Sequence, residues 1–160
     1  NVDLKGFSED FYRSYCGARL EPVKNTLKGM KKRGIFVEVT TLMIPGANDN
    51  RREIEALARF LADELGPDLP WHISRFHPTY RLLDRPSTPL ETLEMARDIG
   101  LEAGLRHIYL GNVPGEEGES TFCSKCKKRL IHRWGFTVRS NTLVNGRCPD
   151  CGTALEGIFQ

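Results

Sequence analysis

The sequence predicts an α/β fold with parallel strands, followed by a small β-rich zinc ribbon. Three observations carry this. Up to about residue 115, strand-like runs alternate with helix-like runs, the pattern of a parallel sheet with helices packed outside it. Beyond that point no long helical periodicity remains, and short β-like runs and glycines take over. Four of the cysteines fall in this second part as two Cys-x-x-Cys pairs, the spacing of metal-binding knuckles. Two domains are therefore expected, 1–115 and 116–160.

The first element is Val2 to Leu4, the end of a buried strand. Leu20 to Arg33 reads as a helix with Pro22 in its first turn, where a missing N–H costs least. Gly34 is placed to stop it, and the cations at its end suit a negative helix terminus or a solvated face. Ile35 to Ile44 is rich in β-branched and apolar residues and ends at Pro45-Gly46, a strand followed by a turn. Asn50 and Glu53 have capping-box spacing. Ile54, Leu57, Ala58, Leu61 and Leu65 then form one apolar stripe of a helix. Trp71 to Phe76 is a third strand. Thr88-Pro89-Leu90-Glu91 reads as an N-cap, an N1 proline and an N3 glutamate, opening a helix that runs to about Ala103 and stops at Gly104. His107 to Leu110 is the fourth strand, and Gly111 to Ser120 a polar loop. Four strands are too few to close an eight-stranded barrel, so the segment is either a small open sheet or part of a larger barrel.

Cys123, Cys126, Cys148 and Cys151 place two thiols on each of two tight turns. Two such turns facing each other supply a tetrahedron of thiolates that suits zinc. With four sulfurs the ion has no open position, which predicts a structural site. Iron in a rubredoxin-like setting uses similar turns. About forty residues bury little core, so metal binding should provide much of this module's folding free energy. Ile131 to Arg139 and Thr142 to Val144 are expected as the arms of a β-hairpin around Asn145-Gly146 or a nearby turn. His132 lies between the pairs but is not needed as a ligand.

Composition narrows the function classes. The chain has 160 residues, 39% of them apolar and 28% charged, which fits a globular protein. A net charge of +2 is too small to argue for nucleic acid or an anionic membrane. The basic-aromatic stretch from Lys125 to Trp134 resembles nucleic-acid-binding ribbons, yet ribbons that dock on a partner domain look the same. No apolar run approaches a membrane span, and nothing at Asn1-Val2-Asp3 resembles a signal peptide. An odd number of cysteines with short paired spacings suits a reducing compartment, so a cytoplasmic location is expected. The chain opens in a strand-like run without Met and is expected to be a fragment of a longer protein or a trimmed chain.

In α/β folds, ligands sit at the carboxyl ends of the strands. That selects Asp3 and Lys5, then Glu38, Thr40 and Leu42, then Arg75 and His77. The wording around them, "NVDLKGFSEDFYRSYCGARLEPV", "VEVTTLMIPGANDN", "PWHISRFHPTY" and "GNVPGEEGESTFCSKC", resembles radical S-adenosylmethionine enzymes. It is similar to the pyruvate formate-lyase activating enzymes and more so to the AmmeMemoRadiSam system group, whose members also end in a two-knuckle module. The resemblance implies a partial (β/α) barrel in which Asp3 and Lys5 lie beside the methionine moiety of S-adenosylmethionine. It implies that Thr40 reaches the cofactor carboxylate, in place of an Arg in activating enzymes. Leu42 would touch adenine, and His77 the nucleoside.

One departure matters. The family's Cys-x-x-x-Cys-x-x-Cys loop, which holds a 4Fe-4S cluster, is absent from these 160 residues; Cys16 stands alone. In the family that loop lies N-terminal to the matched region, so the chain resembles the C-terminal portion of such an enzyme. The substrate stays open; the implied partners are a protein substrate or a glycyl-radical-type partner and, through an open barrel edge at Val2 to Leu4, a second copy of the chain. The rival reading is a ribbon that binds protein or nucleic acid, with the α/β part as scaffold.

Overall fold

The computed structural model describes residues 1–113, 117–135 and 137–157. The expected boundary between residues 115 and 116 lies outside them. In chain order the elements are β1 (Val2–Asp3), α1 (Glu9–Phe11), a wide π-type turn (Tyr12–Cys16), α2 (Leu20–Lys32) and β2 (Val39–Met43). There follow α3 (Arg51–Phe60) with a π-type extension (Leu61–Leu65), β3 (Trp71–Arg75), α4 (Leu90–Glu102) and β4 (Ile108–Gly111). A 3-10 turn (Glu117–Glu119) leads to β5 (Thr121–Phe122), β6 (Arg129–Trp134) and β7 (Thr137–Asn141).

Strands β1 to β4 form one parallel sheet in sequential order, and β5 to β7 a separate antiparallel sheet. The register aligns Asp3, Thr40, His72 and Tyr109 across the four parallel strands, so their side chains share one face. The other face carries Val39, Thr41 and Met43 of β2, Trp71 and Ile73 of β3, and Leu110 of β4, all buried. These residues share one core with Leu20 and Leu27 of α2, Ile54 and Leu57 of α3, and Leu93, Ala96 and Ile99 of α4. The long helices therefore cover a single face of the sheet. A sheet wound in one direction with helices on one side is the geometry of a barrel wall, not of a doubly wound sheet. Contact between α4 and the sheet is close: a Cβ at Gly100 would meet Ile108 Cδ1 at 2.6 Å and Trp71 Cζ3 at 2.9 Å.

Local signals in the sequence explain most boundaries. Asn50 caps α3 by accepting from the Glu53 amide at 2.9 Å. Glu53 does not complete the reciprocal half of the box to the cap amide; its carboxylate accepts from the Phe7 amide at 2.6 Å and ties the exit of β1 to α3. Helix α2 ends at Gly34, where the Gly34 and Ile35 amides bond back to Lys31 and Met30 carbonyls. Buried Thr41 donates to the Leu4 carbonyl at 2.9 Å and accepts the Trp71 indole N–H at 3.0 Å, so β1, β2 and β3 are joined below the surface.

Three expectations need correction. The second strand starts at Val39, not Ile35, and Ile35 and Phe36 are exposed. Thr88 is not a helix cap. It is fully buried, accepts from the Phe76 amide at 2.9 Å and donates to the Met43 carbonyl at 2.6 Å. Its hydroxyl is consumed by the strand ends, so α4 starts one residue later, after Pro89. The main ribbon hairpin has arms Arg129–Trp134 and Thr137–Asn141, not one arm beyond Thr142. Asn145-Gly146 does form a tight turn, with positive φ at both residues, but it joins only Val144 to Arg147. The reading also passed over residues 8–17, where Ser8 caps α1 and buried Tyr12 accepts from the Lys5 amide at 3.1 Å.

Replacing Thr88 by Val is expected to destabilise the protein by about 1–3 kcal/mol, because it strands a buried amide and a buried carbonyl in an isosteric site. Urea denaturation checks this; a variant of unchanged midpoint would show that water serves these groups instead.

Candidate metal centre and the open sheet face

Each cysteine pair sits on a turn closed by its own backbone. The Lys127 amide donates to the Cys123 carbonyl at 3.0 Å, and the Gly152 amide to the Cys148 carbonyl at 2.9 Å. The residue after each second cysteine, Lys127 or Gly152, has positive φ. Glycine meets that need without strain in the second turn; the first imposes it on a lysine. The two turns face each other. Cys123 Sγ lies 3.5 Å from Cys151 Sγ, and Cys126 Sγ 3.6 Å from Cys148 Sγ. All four sulfurs lie within 4.8 Å of one another. Thiolates about 2.3 Å from one tetrahedral ion would be separated by about 3.8 Å, so the arrangement fits a single metal ion. It does not fit cystines, whose sulfurs must approach to about 2.05 Å.

The protein favours some of these thiolates before any metal enters. The Cys126 amide bonds to Cys123 and holds its thiol below the usual range. The hydroxyl of Thr153, 3.2 Å away, and the Thr153 amide hold Cys151 down to about 6. The Lys128 amide favours the Cys126 thiolate too, but desolvation and the neighbouring thiols push that group up to about 12. Four sulfurs this close cannot all lose protons unless a cation shares their charge. Across the turns, Lys128 pairs with Asp150 at 2.5 Å. Among the described residues this is the one cluster of metal-ligating side chains, and His132 is not part of it.

The sheet face left bare by the helices is polar. His72 Nε2 lies 3.4 Å from the Glu38 carboxylate, and its ring stacks on Tyr109 at 5.0 Å. Burial pushes the His72 imidazole below its ordinary range, Glu38 opposes that shift, and Arg133 adds to it. The small sheet lies alongside β4, the last strand. Tyr109 Oη and Thr121 Oγ1 are 3.0 Å apart, and the Arg133 guanidinium donates to Thr121 Oγ1 at 2.7 Å. The same guanidinium lies 5.8 Å from the Tyr109 ring centroid. A cleft of about 600 Å³ opens between the bare face and β6, lined by Glu38, Thr40, His72, Tyr109, Arg133 and Trp134 among others.

The cofactor residues expected from sequence fall into two groups. Asp3 and Lys5 form an ion pair at 2.9 Å, and Asp3 is the register neighbour of Thr40. Thr40 exchanges hydrogen bonds with the Asn1 side chain. Half-buried Leu42 shares the Thr40 face of β2. Buried Asn48 clamps the ends of β1 and β2, donating to the carbonyls of Lys5 at 2.6 Å and Leu42 at 2.9 Å. His77 lies apart on the exposed β3–α4 connection, with Nδ1 3.2 Å from Ser87 Oγ. The sequence reading missed His72, Tyr109 and Thr121, and it took Arg133 for part of a basic stretch. A signal for His72 was present: Trp71-His72-Ile73-Ser74 alternates apolar and polar, which marks one wet face.

No protein-family model matches the chain. An uncharacterized protein of Methanocaldococcus jannaschii is 49% identical over 158 residues, 98% of this chain and 47% of that protein. The chain thus spans about half the length of this relative. Among solved structures, a domain of pyruvate-formate lyase-activating enzyme from Bacteroides vulgatus matches with a TM-score of 0.61 at 17% identity, over 69% of this chain and 66% of that one. A radical SAM methyltransferase from Sphaerobacter thermophilus matches with a TM-score of 0.46 at 20% identity, over 68% of this chain and 32% of that one. The chain shares the fold of the activating-enzyme domain.

The purified chain is expected to bind one tetrahedral ion. Cys126→Ser should weaken binding by about a hundredfold or more, because metal binding and folding of the small sheet are linked. Affinity should fall as pH falls, since thiols must release protons to ligate. Chelator competition followed by Trp134 fluorescence measures both; a Cys126→Ser protein of undiminished affinity would remove the four-sulfur site.

Proposed function

We propose that this chain is the C-terminal portion of a radical S-adenosylmethionine enzyme related to the pyruvate formate-lyase activating enzymes. In this reading residues 1–115 are part of its barrel wall and residues 116–160 a structural zinc ribbon. The observation that carries it is the singly wound parallel sheet with helices on one face and a polar, uncovered opposite face. A barrel needs such a wall, because its lumen must hold polar ligands. The shared fold with an activating-enzyme domain and the greater length of the archaeal relative support the same reading.

The residues fit part of the implied cofactor. S-adenosylmethionine offers an amino-acid group, a ribose and an adenine. The inner face offers the Asp3–Lys5 charge pair, the Thr40 hydroxyl and the apolar Leu42 side by side. Asp3 and Lys5 would orient the charged amino-acid end, Thr40 its carboxylate, and Leu42 the adenine; His77 would reach the nucleoside from its loop. When bound beside a reduced cluster, S-adenosylmethionine supplies hydrogen-atom abstraction. The residues do not fit the cluster itself: the chain has five cysteines, four of them in the ribbon and Cys16 alone. The cluster ligands would come from the rest of the parent protein.

Zinc is the ion proposed for the ribbon, because four thiolates around a closed tetrahedron suit a redox-inert structural ion. A cytoplasmic location agrees with free thiols; no helix among the described residues is long and apolar enough to cross a membrane. The proposed partners are a protein substrate, by analogy with activating enzymes, and a second copy of the chain through β1, which lies at the sheet edge. A second reading, a protein-binding ribbon on a passive scaffold, draws on β7, whose residues are all exposed at the edge of the small sheet.

Anaerobic reconstitution with iron and sulfide separates these readings. The full-length archaeal relative is expected to take up a cluster and to release 5′-deoxyadenosine from S-adenosylmethionine and dithionite. The 160-residue chain alone should release none. Absence of a cluster in the full-length relative, or 5′-deoxyadenosine from the chain alone, would overturn the proposal.

A further inference from the structure

We infer that the cleft between the sheet and the ribbon is a binding site for a small oxyanion, and that Arg133 of β6 receives its carboxylate or phosphate group. This deepens the reading above, since the cleft opens on the face assigned to the barrel lumen. It also gives the ribbon a role beyond stability.

The placement of Arg133 in the cleft carries the inference. Two carboxylates line it: Glu38 lies 3.4 Å from His72, whose imidazole burial holds toward its neutral form, and Glu119 accepts from the Gly135 amide at 2.6 Å. Arg133 is half-buried, yet among the described residues it has no carboxylate partner. Its contacts are the neutral Thr121 hydroxyl at 2.7 Å and the face of Tyr109. A guanidinium cannot shed its charge to relieve partial desolvation, unlike a lysine or a histidine. An incoming oxyanion relieves it through charge-assisted hydrogen bonds, two of them when the fork is free to pair. One Nη1 donor is engaged with Thr121, and the guanidinium's other N–H groups have no partner among the described residues.

The site is also held in place. Thr121 is buried and joined to Tyr109, Tyr109 stacks on His72, and the Arg133 amide donates to Ser120 Oγ at 3.2 Å. Arg133 is thus pre-positioned by both sheets, which lowers the ordering cost of binding. Glu38 beside the parallel sheet and Glu119 beside the end of β6 line the same cleft and disfavour a bare anion. They favour a ligand that also carries hydroxyl or amine donors. The ligand class is therefore a small hydroxylated or aminated oxyanion.

Glycerol 3-phosphate and glycerate test this as a matched pair, with glycerol as the uncharged control. The metal-loaded chain is titrated while Trp134, exposed in the cleft, is followed by fluorescence and the Arg133 side chain by ¹⁵N shift. Saturable binding of at least one anion is expected, with glycerol silent; which anion wins decides between phosphate and carboxylate. Arg133→Met should weaken binding by about tenfold or more while metal content and circular dichroism stay unchanged. Arg133→Lys should recover part of the loss. Absence of saturable binding by both anions, or equal binding by Arg133→Met, overturns the inference. None of these readouts needs a cluster or S-adenosylmethionine, so a failed titration leaves the reconstitution result standing, and the converse holds.

Discussion

Parallel strands must be joined by crossovers, and crossovers of the same hand between neighbours in sequential order deliver every helix to the same side. In this protein α2, α3 and α4 share one core with the buried residues of β2, β3 and β4. The consequence is a sheet with one dry face and one wet face. Each strand answers with alternation: Trp71 and Ile73 point into the helices, and His72 and Ser74 point away from them. A doubly wound sheet would have hidden both faces and left a binding crevice only at a switch point. Here the bare face is open apart from its β4 edge, where Thr121 and Arg133 pack on Tyr109, and the charged and hydroxyl-bearing residues of four strands can act together.

The second constraint is smallness. The ribbon core consists of Cys123, Leu130, Ile131 and Cys148, with Leu143, Cys151 and Leu155 packed against it. That is too little apolar surface to order two loops and three strands. Shared coordination of one ion would supply the missing cohesion, and amide hydrogen bonds to sulfur lower the cost of gathering thiolates. Once rigid, the module can present side chains elsewhere. Thr121 and Arg133 reach Tyr109 at the edge strand of the parallel sheet, so a stabilising element becomes one wall of a cleft.

Much of the fold was legible because the punctuation is local. Asn50, Gly34, Gly104 and the Asn145-Gly146 pair act through their own backbone neighbourhoods, which sequence displays directly. Errors arose where a side chain had two possible clients. Thr88 has the sequence signature of a helix cap, but the amide of Phe76 and the carbonyl of Met43 claim its hydroxyl. Glu53 has capping-box spacing, yet its carboxylate serves Phe7. Residues 8–17 gave no periodic signal, because a single helical turn followed by a wide turn is too short to show one.

By itself, the sequence determined the alternation of strands and helices and the four cysteines of the candidate metal centre. Both depend on spacings of a few residues along the chain. Tertiary structure alone decided that the sulfurs converge, that His72 stacks on Tyr109 beside Glu38, and that Arg133 stands over the bare face without a carboxylate partner among the described residues. These are juxtapositions of residues far apart in sequence. They are set by how two sheets pack against each other, which no local pattern encodes.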